Sequence, residues 1–307
     1  MASFRLPRFK RASKIAPMQI TERDRSIIRL VYRHRFLRSS HIVALIGDGS
    51  RQILRRLQLL YHHGFLERPR AQIEYYHQGG SRYIVYGLGN NGASILKQEL
   101  GATFRKLPWG QKNRSVGRIF LEHALLVSNV MVALELACRK AGDVRLLTFD
   151  DIPLSDGPRQ PHPFKWTVKV ENGVKLGIIS DRVFAIETEG ESPNQPPAFF
   201  FLEADRGTMP IVRKNLSQSS FYRKLLAYEA TWSQGLHRSQ FGFHRFRVLT
   251  VTTSAARVNS LVEACSQLKR GHGLFLFTDQ ATLQKHGDIF TLAWKTGRQG
   301  ETTTILT

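Results

Sequence analysis

With 307 residues, 42% of them hydrophobic, the chain is long enough for two domains and a sizeable core. Its 45 Lys and Arg against 24 Asp and Glu give a formal net charge of +21, which points to a polyanionic partner, nucleic acid ahead of an anionic membrane surface. Two cysteines, Cys138 and Cys265, exclude a disulfide framework, and the basic N-terminus lacks the apolar core of a secretory signal, so a reducing cytoplasm is the expected setting.

The charge is unevenly placed. Residues 1–100 hold 18 Lys and Arg and 6 Asp and Glu, a net +12, against +9 for the remaining 207. Residues 1–18 are basic, hold two prolines and read as a mobile arm. Thr21-Glu22-Arg23-Asp24 has the shape of a capping box and opens a helix whose apolar face is Ile27, Ile28, Leu30 and Val31. A turn at Leu37–Ser40 leads to a short helix, His41–Ile46. After the turn Gly47–Ser50 comes a third helix, Arg51–His63, with Ile53, Leu54, Leu57 and Leu60 toward the core and Gly64 as its stop. Strand-like runs at Phe65–Arg68 and Arg82–Leu88 flank a polar loop, and a fourth helix covers Ala93–Leu100.

Three helices followed by a hairpin is the order of a winged helix-turn-helix, assigned to residues 19–100. The third helix turns Arg51, Gln52, Arg55, Arg56 and Gln58 outward. Guanidinium and amide groups are those that read guanine and adenine edges in the major groove of double-stranded DNA. Arg70 and Arg82, at the base of the hairpin, would place the wing on the flanking backbone. The competing reading is a helical bundle with a basic solvated face; the coincidence of helix order and charge favours DNA.

Residues 101–118 read as a linker. A second domain, 119–298, begins with the long amphipathic helix Ile119–Cys138, which Glu122, His123, Asn129 and Glu135 argue against as a membrane span. Strands are expected at Leu146–Phe149, Trp166–Val170, Lys175–Ile186, Ala198–Ala204, Phe246–Thr252 and Gly273–Thr278, with a further one at Asp288–Trp294. Helices are expected at Ser217–Gln234 and Ser254–Leu268, and residues 299–307 as a tail. The fold class is therefore α/β (α+β overall), a mixed sheet with helices on its faces.

The run Ala198–Leu202 is apolar, as in a strand buried on both faces, yet it ends in Glu203 and Asp205, which share a face at strand period. With Asp181 from the neighbouring strand, three carboxylates would meet at one edge. Such a group repels itself unless a cation lies between, and hard oxygen ligands suit Mg²⁺ or Mn²⁺. The alternative leaves the acids capping helices or pairing with Arg182 and Arg206.

The stretches Ile20–Val31, Arg55–Leu57, Gly64–Arg68, His123–Asn129, Ser180–Phe184 and Phe201–Thr208 resemble, in this order, the replication-relaxation family. That resemblance implies a protein of plasmids or other mobile elements, tied to initiation of replication and relaxation of DNA. The second half also resembles the PD-(D/E)XK (restriction-endonuclease-like) core, in which an Asp on one strand and Glu-x-Lys on the next hold a divalent metal. Asp181 and Glu203 match the acids, whereas Asp205 stands where the lysine is expected. Lys214 or Lys224 from the following helix is the replacement this resemblance implies, and Gln218-Ser-Ser-Phe-Tyr222 matches a Gln-x-x-x-Tyr pattern of some members.

Three functions compete. The first is a mobile-element initiator whose winged helix finds an origin and whose second domain nicks or remodels DNA, with Asp181, Glu203, Asp205 and a lysine as its catalytic set and other replication or transfer proteins as partners. The second is a non-enzymatic operator-binding regulator that forms a homodimer through the second domain. The third, a tyrosine relaxase using Tyr222 or Tyr228, lacks the expected His-hydrophobic-His motif. No Walker A loop is present, so no ATP use is expected.

Overall fold

A computed structural model describes residues 7–47, 49–73, 83–101, 108–148, 151–152, 164–170, 173–189 and 196–307. The chain divides into two compact units, Met1–Val132 and Ala133–Thr307.

The first unit opens with α1 (Glu22–His34), and the expected capping box is present: Asp24 Oδ2 accepts from the Thr21 N–H at 2.8 Å while the Thr21 hydroxyl accepts from the Asp24 N–H. The strand β1 (Phe36–Arg38) follows where the sequence suggested only a turn, then α2 (Ser39–Ile46) and α3 (Ser50–His62). β2 (Leu66–Glu67) and β3 (Val85–Leu88) complete an antiparallel sheet in the order β1-β3-β2, so the hairpin is shorter than the apolar runs indicated. Glycine is needed twice where the chain enters and leaves this hairpin: Gly64, before β2, has φ +79°, and a Cβ on Gly89, after β3, would overlap the Gly64 carbonyl. Ile27, Ile28 and Val31 of α1 and Ile53, Leu57 and Leu60 of α3 are fully buried. Leu54 does not join them; it is 47% exposed.

Polar side chains make long-range contacts in both the arm and the segment expected as a linker. The described part of the arm is bonded to the body of the first unit. Arg11 donates to the Tyr61 carbonyl and to Glu67 Oε1 (2.6 Å), the Ala12 N–H donates to His62 Nδ1, and His63 Nε2 bonds the Ala16 carbonyl. The supposed linker contains a helix; α4 (Asn90–Leu100) is followed by α5 (Trp109–Arg114), whose buried Asn113 donates to the Leu88 carbonyl and whose Trp109 stacks edge-on with Tyr32. The long helix α6 (Arg118–Ala141) then carries the division between units, between Val132 and Ala133. It is long and apolar enough to cross a membrane, with 61% of its most apolar window buried. Within the first unit Leu121 and Leu125 pack on Phe36 and Val85, and the Ser128 hydroxyl donates to the Phe36 carbonyl.

The second unit is built on a seven-stranded sheet in the order β12-β11-β10-β9-β8-β7-β4. After β4 (Val144–Leu147) come β7 (Arg182–Thr188), β8 (Ala198–Ala204), β9 (Phe246–Thr252), β10 (Phe275–Asp279), β11 (Trp294–Thr296) and β12 (Thr302–Thr303). β8, β9 and β10 run parallel, and the remaining pairings are antiparallel. The parallel strands are joined by α7 (Phe221–Ser233) with the short α8 (Leu236–Ser239), and by α9 (Ala255–Ser266); α10 (Gln280–His286) follows β10. Side chains of α7 and α9 close one core with the central strands. In it Phe201 is surrounded by Phe164, Trp166, Tyr228, Phe241, Phe243 and Phe246.

The run Lys175–Ile186 is two strands. β6 (Lys175–Ile179) pairs with β5 (Lys165–Lys169) in a separate ribbon, and only β7 enters the large sheet. The break is made by side chains: the Ser180 hydroxyl donates to the Arg182 carbonyl (2.8 Å), and Asp181 Oδ2 accepts from the Ala204 N–H (2.8 Å). The run at Asp288–Trp294 is not a strand, since β11 starts at Trp294. The tail contributes β12 and the buried Ile305 instead of trailing free.

Candidate nucleic-acid interface and carboxylate site

On α3 the residues Arg51, Leu54, Arg55 and Gln58 fall at i, i+3, i+4 and i+7, one stripe of a helix. Arg51, Leu54 and Arg55 are exposed and Gln58 half-buried. Neither arginine has a salt bridge among the described residues. Gln52 and Arg56, one position round the helix, face α1 instead. Gln52 Oε1 accepts from Arg23 (3.1 Å), and the Arg56 guanidinium makes a two-point pair with the fully buried Asp24 and donates to the Gln19 carbonyl. Burial works against the Asp24 charge, yet the bonds from Arg56 and Thr21 hold its carboxyl below the ordinary value. Arg56, expected at the bases, is engaged by Asp24 and the Gln19 carbonyl. Arg70 is exposed at the start of a short 3₁₀ turn, and Arg82 lies outside the described residues. Leu54, expected on the core side, stands on the outer face with Arg51 and Arg55.

The carboxylates of the second unit are placed by the β7–β8 register. Arg182 opposes Leu202, so the next pair outward is Asp181 opposite Glu203. Glu203 is 1% exposed. Its Oε2 accepts from Lys224 Nζ (2.5 Å) and its Oε1 from the Tyr228 hydroxyl (2.5 Å), both on α7 at i and i+4. Burial pushes the Glu203 carboxyl up, the Lys224 ammonium opposes that, and Asp181 adds to it. Burial likewise works to lower Lys224, but Glu203 and Asp181 hold the ammonium above its ordinary value. Tyr228, buried beside a carboxylate, is raised well above 10, which makes it a donor and not a nucleophile.

Of the two lysines, the structure brings Lys224 to the acids and leaves Lys214 exposed on the loop before α7. Asp205 is not part of the group. Its carboxylate accepts from Arg257 at two points and from the Thr252 hydroxyl (2.7 Å), tying the end of β8 to the first turn of α9. Among the described residues no three His, Cys, Asp or Glu side chains gather as metal ligands, so the expected convergence of three carboxylates does not occur. Asp181 and Glu203 remain. Two carboxylates are what Mg²⁺ takes when water and phosphate oxygens complete its shell; here both Glu203 oxygens are occupied, one by Lys224 and one by Tyr228. Glu122 is paired with Arg118 (2.9 Å), and the Tyr222 hydroxyl donates to the Gln267 carbonyl. Tyr228 was the missed member; its spacing four residues after Lys224 on one helix was the available signal.

A family model described as Replication-relaxation matches residues 28–245, about 71% of the chain. No curated protein and no solved structure gives a significant match.

Proposed function

The chain belongs to the replication-relaxation family, and from that premise we propose that it is a DNA-binding protein acting in replication of a plasmid or other mobile element. The observation that carries this reading is the stripe of exposed Arg51, Leu54 and Arg55 with half-buried Gln58, on a helix whose Gln52 and Arg56 are engaged by α1. Two arginines without a carboxylate partner among the described residues, an amide and a methyl-bearing side chain form a set suited to base edges, and the helix lies in the three-helix-and-hairpin order of a winged helix-turn-helix. Mobility shift on a duplex carrying the element's own origin tests it. The wild type should shift that duplex ahead of an unrelated one, and Arg55→Ala should weaken binding by ~1–3 kcal/mol and narrow the preference. Binding equally strong in Arg51→Ala and Arg55→Ala would remove α3 from the interface.

A second reading, metal-dependent nicking by a restriction-endonuclease-like second unit, is favoured by one observation: a lysine ammonium, Lys224 Nζ, lies 2.5 Å from Glu203 Oε2. A divalent ion bound there would supply a water of lowered pKa and shield phosphate charge. Asp181 and Glu203 would hold it, Tyr228 fixes the Glu203 carboxylate, and Lys224 is released to face a phosphate. Supercoiled origin plasmid treated with protein and Mg²⁺ or EDTA decides the matter. Metal-dependent nicking lost in Asp181→Ala and Lys224→Ala supports it, and intact plasmid with DNA binding retained leaves the second unit as a scaffold.

A further inference from the structure

The ribbon β5–β6 is covered on one face only. Trp166, Val168, Leu176 and Ile178 are buried, with Trp166 Nε1 donating to Thr231 of α7 (2.8 Å). The outward positions alternate with them: Lys165, Thr167 and Lys169 on β5, Lys175, Gly177 and Ile179 on β6, all exposed. The register sets Lys169 directly opposite Lys175 and Thr167 opposite Gly177. Like charges directly across a pair of strands destabilise it, and no carboxylate pairs with any of the three lysines among the described residues. A Cβ built on Gly177 would meet nothing within 4 Å, so among the described residues none lies over the middle of this face. Residues 171–172 of the turn lie outside the described residues.

We propose that this outward face is a second DNA-contact surface, which seats the phosphate backbone of a duplex through Lys165, Lys169 and Lys175. It rests on the DNA-binding reading above. The argument is charge complementarity: three ammonium groups without a carboxylate partner among the described residues, two of them directly opposite one another, are relieved by an anion between them. Lys165 and Lys169 stand four residues apart, roughly 13 Å along the strand, which spans about four phosphates of one DNA strand at ~3.4 Å each. The centre of the face, Thr167 and Gly177, is small, and the major groove admits a two-stranded ribbon. A lipid surface fits less well, because only Ile179 at one end offers a large apolar side chain on this face. Chain order also matters: β6 runs straight into Ser180 and Asp181, so a duplex lying on the ribbon would lead toward the Asp181–Glu203–Lys224 group.

The test is fluorescence anisotropy of the full chain on a random-sequence 20-base-pair duplex across a salt series, with anionic phosphatidylserine vesicles as a parallel arm. Each lost phosphate contact lowers the slope of log K against log salt by ~0.9, so Lys165→Gln, Lys169→Gln and Lys175→Gln together should lower it by ~2.7 and weaken binding about tenfold or more. Gly177→Glu, which places a carboxylate among the lysines without removing any, should weaken binding in the same direction, and Lys285→Gln on the exposed side of α10 should leave the slope unchanged. Circular dichroism melts establish that each variant is folded. A triple-variant slope equal to that of the wild type, with Arg55→Ala still weakening binding, overturns the ribbon alone. Absence of any duplex binding by the wild type overturns both readings. Loss of vesicle binding in the triple variant with duplex binding untouched overturns the ribbon in favour of a membrane.

Discussion

Removing the Lys224 ammonium is the sharpest perturbation of the second unit. In Lys224→Met, Glu203 stays 1% exposed and keeps Tyr228 as its donor, but loses the charge that offsets its burial. Breaking a buried pair by deleting one partner costs ~3–5 kcal/mol, and because the Lys224 side chain is itself 32% exposed the expected loss is nearer ~3 kcal/mol. The loss depends on pH. Glu203 already has a folded pKa above 4.5, and without Lys224 it rises further. A raised folded pKa gives stability that is complete below the unfolded value and disappears as pH climbs through the folded one. The variant should therefore lie close to wild type at pH 5 and fall behind toward pH 8, at ~1.4 kcal/mol per pH unit while folded Glu203 remains protonated. Urea unfolding followed by Trp166 fluorescence at the two pH values measures this, since the Trp166 and Tyr228 rings are 5.9 Å apart. Adding Glu203→Gln should flatten the dependence. A deficit of equal size at pH 5 and pH 8 would refute the coupling.

Other consequences are as direct. Arg56→Ala should destabilise the first unit by ~2–4 kcal/mol, because Asp24 is left buried with only Thr21, and should leave sequence preference on DNA unchanged; thermal unfolding alongside mobility shift separates the two. Arg257→Met should cost ~3 kcal/mol through the stranded Asp205, equally with EDTA and with Mg²⁺, as a calorimetric melt in each buffer would register. His62 Nδ1 accepts from the Ala12 N–H, so its proton sits on Nε2, and burial lowers its pKa to about 4. A depressed histidine gives stability present above 6.5 and lost as pH falls toward about 4, with the Ala12 bond broken on protonation. Proteolysis near Ala12 should accelerate through that window in the wild type and be independent of pH in His62→Gln.

The helices of the first unit were legible because capping and period agree: Thr21 with Asp24 set the start of α1, and Ile53, Leu57 and Leu60 the inner face of α3. The central strand β8 was legible for the same kind of reason, its unbroken Phe199–Leu202 run. Polar side chains that bond across long sequence distances were not. Asn113 bonds the Leu88 carbonyl from a short helix in the segment read as a linker, and Arg11 bonds Glu67 from the basic arm. In the site, strand period placed Glu203 and Asp205 on one face, but only the structure shows their partners. Lys224 and Tyr228 come from one helix and Arg257 from another, so the two acids serve different purposes.

The account stands or falls on α3 touching DNA, and Leu54 allows that to be read at one position. It is 47% exposed, lies between Arg51 and Arg55 and holds no core contact that a larger side chain would destroy. A photo-crosslinking amino acid installed there in the full chain and irradiated with the origin duplex should give a protein–DNA adduct, competed away by unlabelled origin DNA more readily than by unrelated DNA. Retained duplex binding without any adduct from position 54 would contradict the account.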